Sequence, residues 1–497
     1  MLSVRILCSL GLLVLFCGEA LSQSSDFERM VAAIDGNSLP LVNIEVDAQS
    51  LDSKGPYAPA VFTVAERVEG RDSIVSRPIS GLIKVRGATS TVYAKKSFTI
   101  KFVDEAGNKL DVNLLGLRED NVWILDAMTI DRARMRNRVL FDLWNEYSRT
   151  PYETKFGGRN GTVGQMVEVF LNGEYHGLYC LSDKINRQLL GLKKVKVDEE
   201  TSDVTVRGVL YKGEQWSTAT MSMTGYKNAR TDTAYWNGWQ LDYPDDYPSR
   251  QAWQPLMDFI TFINSDEDVF AAGYLDWYYR DNLVDYWLLL ETFNILDMPY
   301  KNSFVSTVDV TSGDHHYQIT PWDMDASMGQ NYNGARLNTV CDIHRLDNDY
   351  MPFLSLIRYN IDDFYAHLAA RWKQLSRSTF ASEHVLALMR AYAARLDDSG
   401  AWGRERVRWN KRPVALATTA AGELDYIEAW YSNNFEHVQR YMLHDVNRDW
   451  TVDVGDVNLL LEAILAGNND DALDVNDDGA VDVGDVNNVL AGILNIK

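Results

Sequence analysis

The side chains best suited to chemistry fall between residues 281 and 325 of this 497-residue chain. Asp297 and Asn302 bracket Met298-Pro299-Tyr300-Lys301, and Asp323 and Asp325 follow within Pro321-Trp322-Asp323-Met324-Asp325. Phosphoryl transfer needs such a set: one carboxylate to orient or deprotonate an attacking hydroxyl, and an amide oxygen and a further carboxylate to hold ions that bridge phosphates. An Asp-x4-Asn pair alone arises easily by chance, so its context carries the weight. The pattern predicts an apolar helix over 282–296, a strand over 303–310, a turn at Thr311-Ser312-Gly313-Asp314 and a second strand over 316–320. That hairpin would bring Asp323 back beside Asp297.

A second constellation lies at the C-terminal end. Segments 445–456 and 474–485 repeat at a spacing of 29 residues. Asp445, Asn447, Asp449, Asp453 and Asp456 occupy loop positions 1, 3, 5, 9 and 12 of the first, and Asp474, Asn476, Asp478, Asp482 and Asp485 those of the second. Thr451 and Ala480, at position 7, can offer backbone carbonyls. Calcium takes six to eight hard oxygen ligands, and this EF-hand-type spacing wraps them around one ion. Each loop runs into a short apolar helix, 457–465 and 486–494. A solvated acidic tail would not repeat ligand spacing with an apolar helix after each copy. Trp450 holds position 6 of the first loop, where Gly479 eases the turn in the second, so the second loop is expected to bind calcium more tightly.

The elements that must position these groups can be read from the remainder. Arg5 followed by the apolar run 6–16 and Ala20-Leu21-Ser22 reads as a signal peptide over 1–22, hence an exported, extracellular protein. That run is shorter than the roughly 20 apolar residues needed to span a bilayer. Residues 23–110 alternate apolar and polar and predict strands, with a turn at Arg86-Gly87-Ala88-Thr89-Ser90-Thr91. A helix is predicted over 131–147, and a hairpin over 166–181 about Asn172-Gly173. Residues 213–250 read as a long loop, and 252–296 and 351–440 as mostly helical. The class is therefore α+β, a β-rich N-terminal half and a helical C-terminal half forming two lobes about a cleft, followed by a small all-α calcium-binding domain. The expected boundaries are 1–22, 23–440 and 441–497. The formal charge is −22, of which −10 falls in residues 445–497, and this acidic balance argues against nucleic-acid binding. Cys180 and Cys341, the cysteines beyond the leader, form no disulfide framework: they either pair or stay as free thiols, and the apolar surroundings of Cys180 suit a buried thiol.

The Asp-x4-Asn spacing followed by a hairpin and an Asp is that of a protein-kinase catalytic loop, although no His-Arg precedes Asp297, no Phe-Gly follows Asp323, and no glycine-rich phosphate loop stands near the start. With Arg86-Gly87-Ala88-Thr89-Ser90, the run 95–102, Arg136-Asn137-Arg138, the run 171–179 and Asn294, residues 40–440 resemble the spore-coat protein H (CotH) kinase-like family. The resemblance implies an atypical secreted kinase that uses ATP and Mg²⁺ or Mn²⁺ to phosphorylate a protein. It implies Asp297 as catalytic base and Asn302 and Asp323 as metal ligands, with Asp325 either a further ligand or a structural acceptor. Lys95 matches the family's phosphate-binding lysine, Arg136 is a second candidate cation, and Asp183 would pair with the phosphate lysine. Residues 445–497 resemble a type I dockerin, which implies a cohesin module of a scaffold as partner. Transfer of AMP or an amino acid, a non-enzymatic scaffold role, and carbohydrate chemistry prompted by the 14 Trp are the competing readings.

Overall fold

The computed structural model describes residues 24–494 except 53, 68–72, 216–220, 222–230, 300, 344, 347–351 and 410–412; the expected signal peptide lies outside the described residues. Helix α1 (Asp26–Ala32) precedes strands β1 (Leu41–Val46), β2 (Ala58–Arg67), β3 (Ser73–Val75), β4 (Ile79–Arg86), β5 (Ser97–Phe102) and β6 (Val122–Asp126). Helix α2 (Arg136–Tyr147) then leads to β7 (Gly164–Leu171) and β8 (Glu174–Asp183). These eight strands form one sheet in the order β1-β7-β8-β6-β5-β4-β2-β3, and β1 also pairs with β2. The β-rich half is thus a closed barrel with β3 appended, rather than an open sheet. Alternation along β4 sends Ile83 and Val85 inward and Lys84 and Arg86 outward. Phe98, Ile100 and Phe102 of β5 join Phe62, Trp123, Val167 and Tyr179 in the barrel core. Gly81 permits that closure: a Cβ there would lie 2.8 Å from the Lys101 carbonyl and 2.9 Å from the Phe62 ring.

Strands β9 (Lys196–Val197) and β10 (Val204–Thr205) make a small ribbon. A second sheet follows, built from β11 (Val209–Gly213), β12 (Tyr235–Trp236), β13 (Trp239–Tyr243), β14 (Ser303–Thr307) and β15 (Gln318–Pro321), in the order β12-β13-β11-β14-β15. The predicted loop over 213–250 therefore contains a hairpin, turned by Asn237 and Gly238, both at positive φ; other parts of that stretch fall outside the described residues. The helices are α3 (Arg250–Ile263), α4 (Glu267–Trp277), α5 (Arg280–Thr292), α6 (Phe353–Arg358), α7 (Phe364–Leu375), α8 (Ser382–Asp398), α9 (Ala401–Trp409) and α10 (Leu424–Gln439). Helix α5 is buried from Asn282 to Thr292 and forms the axis of the helical half. Trp123, Trp144, Trp239, Trp253, Trp287, Trp372 and Trp402 are fully buried, so they serve the core rather than a sugar-binding platform. Both Cys180 and Cys341 are buried free thiols.

Helices α11 (Val454–Ala466) and α12 (Val483–Leu494) each follow one repeated acidic loop. They close a separate small core of Val446, Val457, Leu460, Val475, Val486 and Val489. Trp450 packs edge-on to Tyr365 of α7 at 4.7 Å between ring centroids. The turn position that disfavours a bulky residue thus holds an anchor onto the larger domain. Among the described residues no helix is long and apolar enough to cross a membrane.

Candidate active site

The site begins where α5 ends. Asp297 follows this buried helix, and Asn302 immediately precedes β14 in a left-handed conformation (φ 63°). Pairing of Ser303 with Pro321 and Phe304 with Thr320 folds β15 back along β14. The Trp322 amide donates to the Asn302 carbonyl at 2.8 Å, so Asp323 emerges beside Asn302, itself at φ 58°. Two non-glycine residues held in this sparsely populated region mark strain that the hairpin and its neighbours sustain. Asn302 Nδ2 donates to Asp297 Oδ2 at 2.9 Å, and Lys301 Nζ approaches the same oxygen at 2.6 Å. The amide is therefore tethered through its nitrogen, which leaves Oδ1 as its acceptor end.

Asp297, Asn302, Asp323 and Asp325 line one large cleft of about 1250 Å³ between the barrel and the second sheet. Asp126, at the end of β6, lines it as well and was not singled out in the sequence. Its Oδ2 accepts from Asn137 Nδ2 at 3.0 Å, and Asn137 Oδ1 accepts from the Met324 amide at 3.0 Å. Asn137 thus bridges the barrel acid to the loop that carries Asp323. Asp323 opens to the cleft, yet the walls enclosing it and then the charge of Asp126 push its carboxyl up, with Arg86 opposing. Burial, then Asp323 and Asp126, push Asp325 well up. Carboxylates that repel one another in this way favour a bound cation.

Among the described residues no group of three or more His, Cys, Asp or Glu side chains is drawn tightly enough to hold a metal by itself.

Three expected phosphate-site residues lie outside the cleft, and each is paired with a protein group of opposite charge. Lys95 is buried: its Nζ donates to Glu405 Oε1 at 2.7 Å and to the Leu178 carbonyl at 2.5 Å. Burial lowers its pKa to about 8 despite Glu405. Arg136 is buried against Asp131, Nη1 to Oδ1 at 2.6 Å. Asp183 Oδ2 accepts from Arg118 Nε and Arg159 Nη2, both at 2.6 Å, so its partners are two arginines and not a phosphate lysine. None of the three lines the cleft.

The family model for CotH kinase protein matches residues 83–438. The chain belongs to this family. No curated protein matches the chain. Membership makes the larger part a kinase-type domain. Asp297, Asn302, Asp323 and Asp325 meet in the cleft, whereas Arg136-Asn137-Arg138 contributes through its central asparagine. Glu405, the partner of Lys95, carries no local signal: its role follows from a contact across 310 positions.

The C-terminal loops share one hydrogen-bond scheme. Asp456 Oδ1 accepts from the Asn447 amide and Asp485 Oδ1 from the Asn476 amide, both at 3.0 Å. Asp445 Oδ1 accepts from the Asp449 amide and Asp474 Oδ1 from the Asp478 amide, both at 3.1 Å. In each loop the residue at position 5 also caps position 7: Asp449 Oδ1 accepts from Thr451 N at 2.8 Å and Asp478 Oδ1 from Ala480 N at 3.1 Å. Asp453 and Asp482, at position 9, accept from the Gly455 and Gly484 amides at 2.6 Å.

Proposed function

We propose that the chain is an exported protein kinase dependent on ATP and a divalent metal, held to a cohesin-bearing scaffold by a calcium-binding, dockerin-like module at residues 441–497. The observation that carries the kinase reading is the meeting of Asp297, Asn302 and Asp323 at the head of one hairpin. In this reading Asp297 orients the acceptor hydroxyl and takes its proton as the oxygen bonds to the γ-phosphorus and the bond to ADP breaks. Asn302 Oδ1 and the Asp323 carboxylate would hold Mg²⁺ or Mn²⁺, with Asp325 lining the same cleft. When bound, the metal supplies positive charge against the phosphates.

Support for the calcium module is the duplicated oxygen spacing and its duplicated hydrogen-bond scheme. Leu461 and Leu465 on α11 and Val483 and Leu494 on α12 are exposed apolar residues on which a protein partner such as cohesin can close.

The test uses the full mature chain with ATP labelled at either the α- or the γ-phosphate and a panel of exported proteins. Metal-dependent transfer of the γ-label is expected. Transfer of the α-label would replace phosphorylation by adenylylation, and absence of any metal-dependent ATP binding would reject the kinase reading.

A further inference from the structure

With Lys95 and Arg136 buried outside the cleft, the cations that meet an anionic substrate there must come from elsewhere. The outward face of β4 and β5 supplies them. Arg86 pairs across the strands with Ser97, Lys84 with Thr99, and Lys101 with Leu82. Ser97 Oγ in turn approaches Asp126 Oδ1 at 3.4 Å, which puts Arg86 at the level of the acid cluster. Arg86 also lies over the Trp322 ring at 5.2 Å from its centroid, next to Asp323. Lys84 is two residues farther along the strand, a step of about 7 Å, and Lys101 is displaced one step beyond on the neighbouring strand.

These cations differ from three of the lysines around them. Lys184 is paired with Asp242 at 2.9 Å, Lys212 with Glu214 at 2.5 Å and Lys301 with Asp297 at 2.6 Å. Arg86, Lys84 and Lys101 line the same cleft, and among the described residues none of them has a carboxylate within ion-pair distance. Lys84 and Lys101 instead bracket the Tyr57 ring, 4.6 and 4.7 Å from its centroid. Half-buried cations without acid partners are costly unless an anion completes them. Burial and then mutual repulsion lower the pKa of Lys84, consistent with crowding of like charge.

We propose that Arg86, Lys84 and Lys101 form a linear track that binds the polyphosphate chain of the nucleotide, its terminal phosphate at Arg86 beside Asp323 and its inner phosphates at the two lysines across Tyr57. This deepens the kinase reading and rests on it only for the nucleoside. The track takes the place in catalysis that the family pattern gives to Lys95.

Calorimetry on the full mature chain separates the two ideas, with Mg-ATP, inorganic tripolyphosphate and adenosine as probes. Lys84→Gln with Lys101→Gln is expected to weaken ATP and tripolyphosphate roughly tenfold or more per cation, the usual worth of a charge-assisted contact. Adenosine should bind as to wild type, and Lys84→Arg with Lys101→Arg should recover the phosphate affinity. A loss of packing alone would not sort the probes in this way. If the double variant does not fold, Lys101→Gln alone carries the measurement. Wild-type affinity of the Gln variants for tripolyphosphate and ATP would overturn the track while leaving the kinase reading in place. Tripolyphosphate binding that the Gln variants lose, with no ATP binding, would keep the track and remove the kinase reading. Binding of neither probe by wild type would remove both.

Discussion

Lys95 Nζ lies 2.7 Å from Glu405 Oε1, an ion pair closed between the lead-in to β5 and helix α9. Both side chains are essentially inaccessible. Arg134 Nε reaches the same Glu405 oxygen at 2.9 Å, and the Leu178 amide donates to Oε2 at 2.9 Å. Burial pushes the Glu405 carboxyl up, but Lys95 and Arg134 together hold it below its ordinary value. This is a clasp between the barrel and the helical half.

Breaking that clasp should cost stability rather than phosphate binding. Removing one partner of a buried pair typically destabilises by about 3–5 kcal/mol. Glu405→Gln, which strands Lys95 and Arg134, is expected to fall in that range by urea unfolding, while folded protein keeps ATP affinity within a few fold. An intact unfolding midpoint joined to lost ATP affinity would return Lys95 to the nucleotide site.

Asp323 and Asp297 should fail differently. Asp323→Ala removes the proposed metal ligand and is expected to abolish metal-dependent ATP binding, and turnover with it. Asp297→Ala should leave ATP affinity within a few fold yet lower transfer by about 10²–10⁴, the worth of a positioned base. Loss confined to the catalytic step marks a group that acts in the transition state. Transfer at the wild-type rate by Asp297→Ala would remove the base assignment.

Asp285, on α5, provides a pH test independent of function. Arg371 Nε donates to its Oδ1 at 2.8 Å, but burial outweighs this and raises its pKa from 3.8 to about 6. The folded state therefore holds this proton more tightly than the unfolded chain. The stabilisation it confers is present below pH 4 and is lost as pH rises through 6. Relative to wild type, Asp285→Asn should gain about 1–3 kcal/mol between pH 4 and 7. A constant difference across that range, from urea midpoints of both proteins, would contradict the assignment.

The calcium binding proposed for the first loop should weaken as pH falls through about 6. Burial, followed by repulsion from Asp456, raises Asp445 to about 6, while the Tyr365 hydroxyl, donating at 3.0 Å, opposes the rise. Protons and calcium then compete for one carboxylate. Calorimetric calcium titrations of the full chain at pH 5 and 7 measure this, and equal affinities would refute it. Trp450→Gly should expose the helical segment 440–444 to proteolysis, because the indole packs the module on Tyr365. An unchanged digestion pattern would show that the anchor is dispensable.

By itself the sequence determined the local pieces. Alternation along 96–102 marked β5 and its buried face, Asn172-Gly173 marked the β7–β8 turn, and the duplicated Asp spacing marked two loop–helix units. It also marked Asp297, Asn302 and Asp323, since one hairpin is a short-range device that joins them. Barrel closure and the choice of cation were decided only in three dimensions. Closure depends on Leu41 pairing with both Ala65 and Glu168, and no local pattern names such partners. Lys95 and Lys101 lie in one lysine-rich run, the first just before β5 and the second on it, and the local pattern does not say what either side chain meets. One meets Glu405 from a remote helix and is neutralised; the other faces the cleft across Tyr57. A lysine's electrostatic role is set by the charges that distant segments bring to it, and those become visible only once the chain has folded.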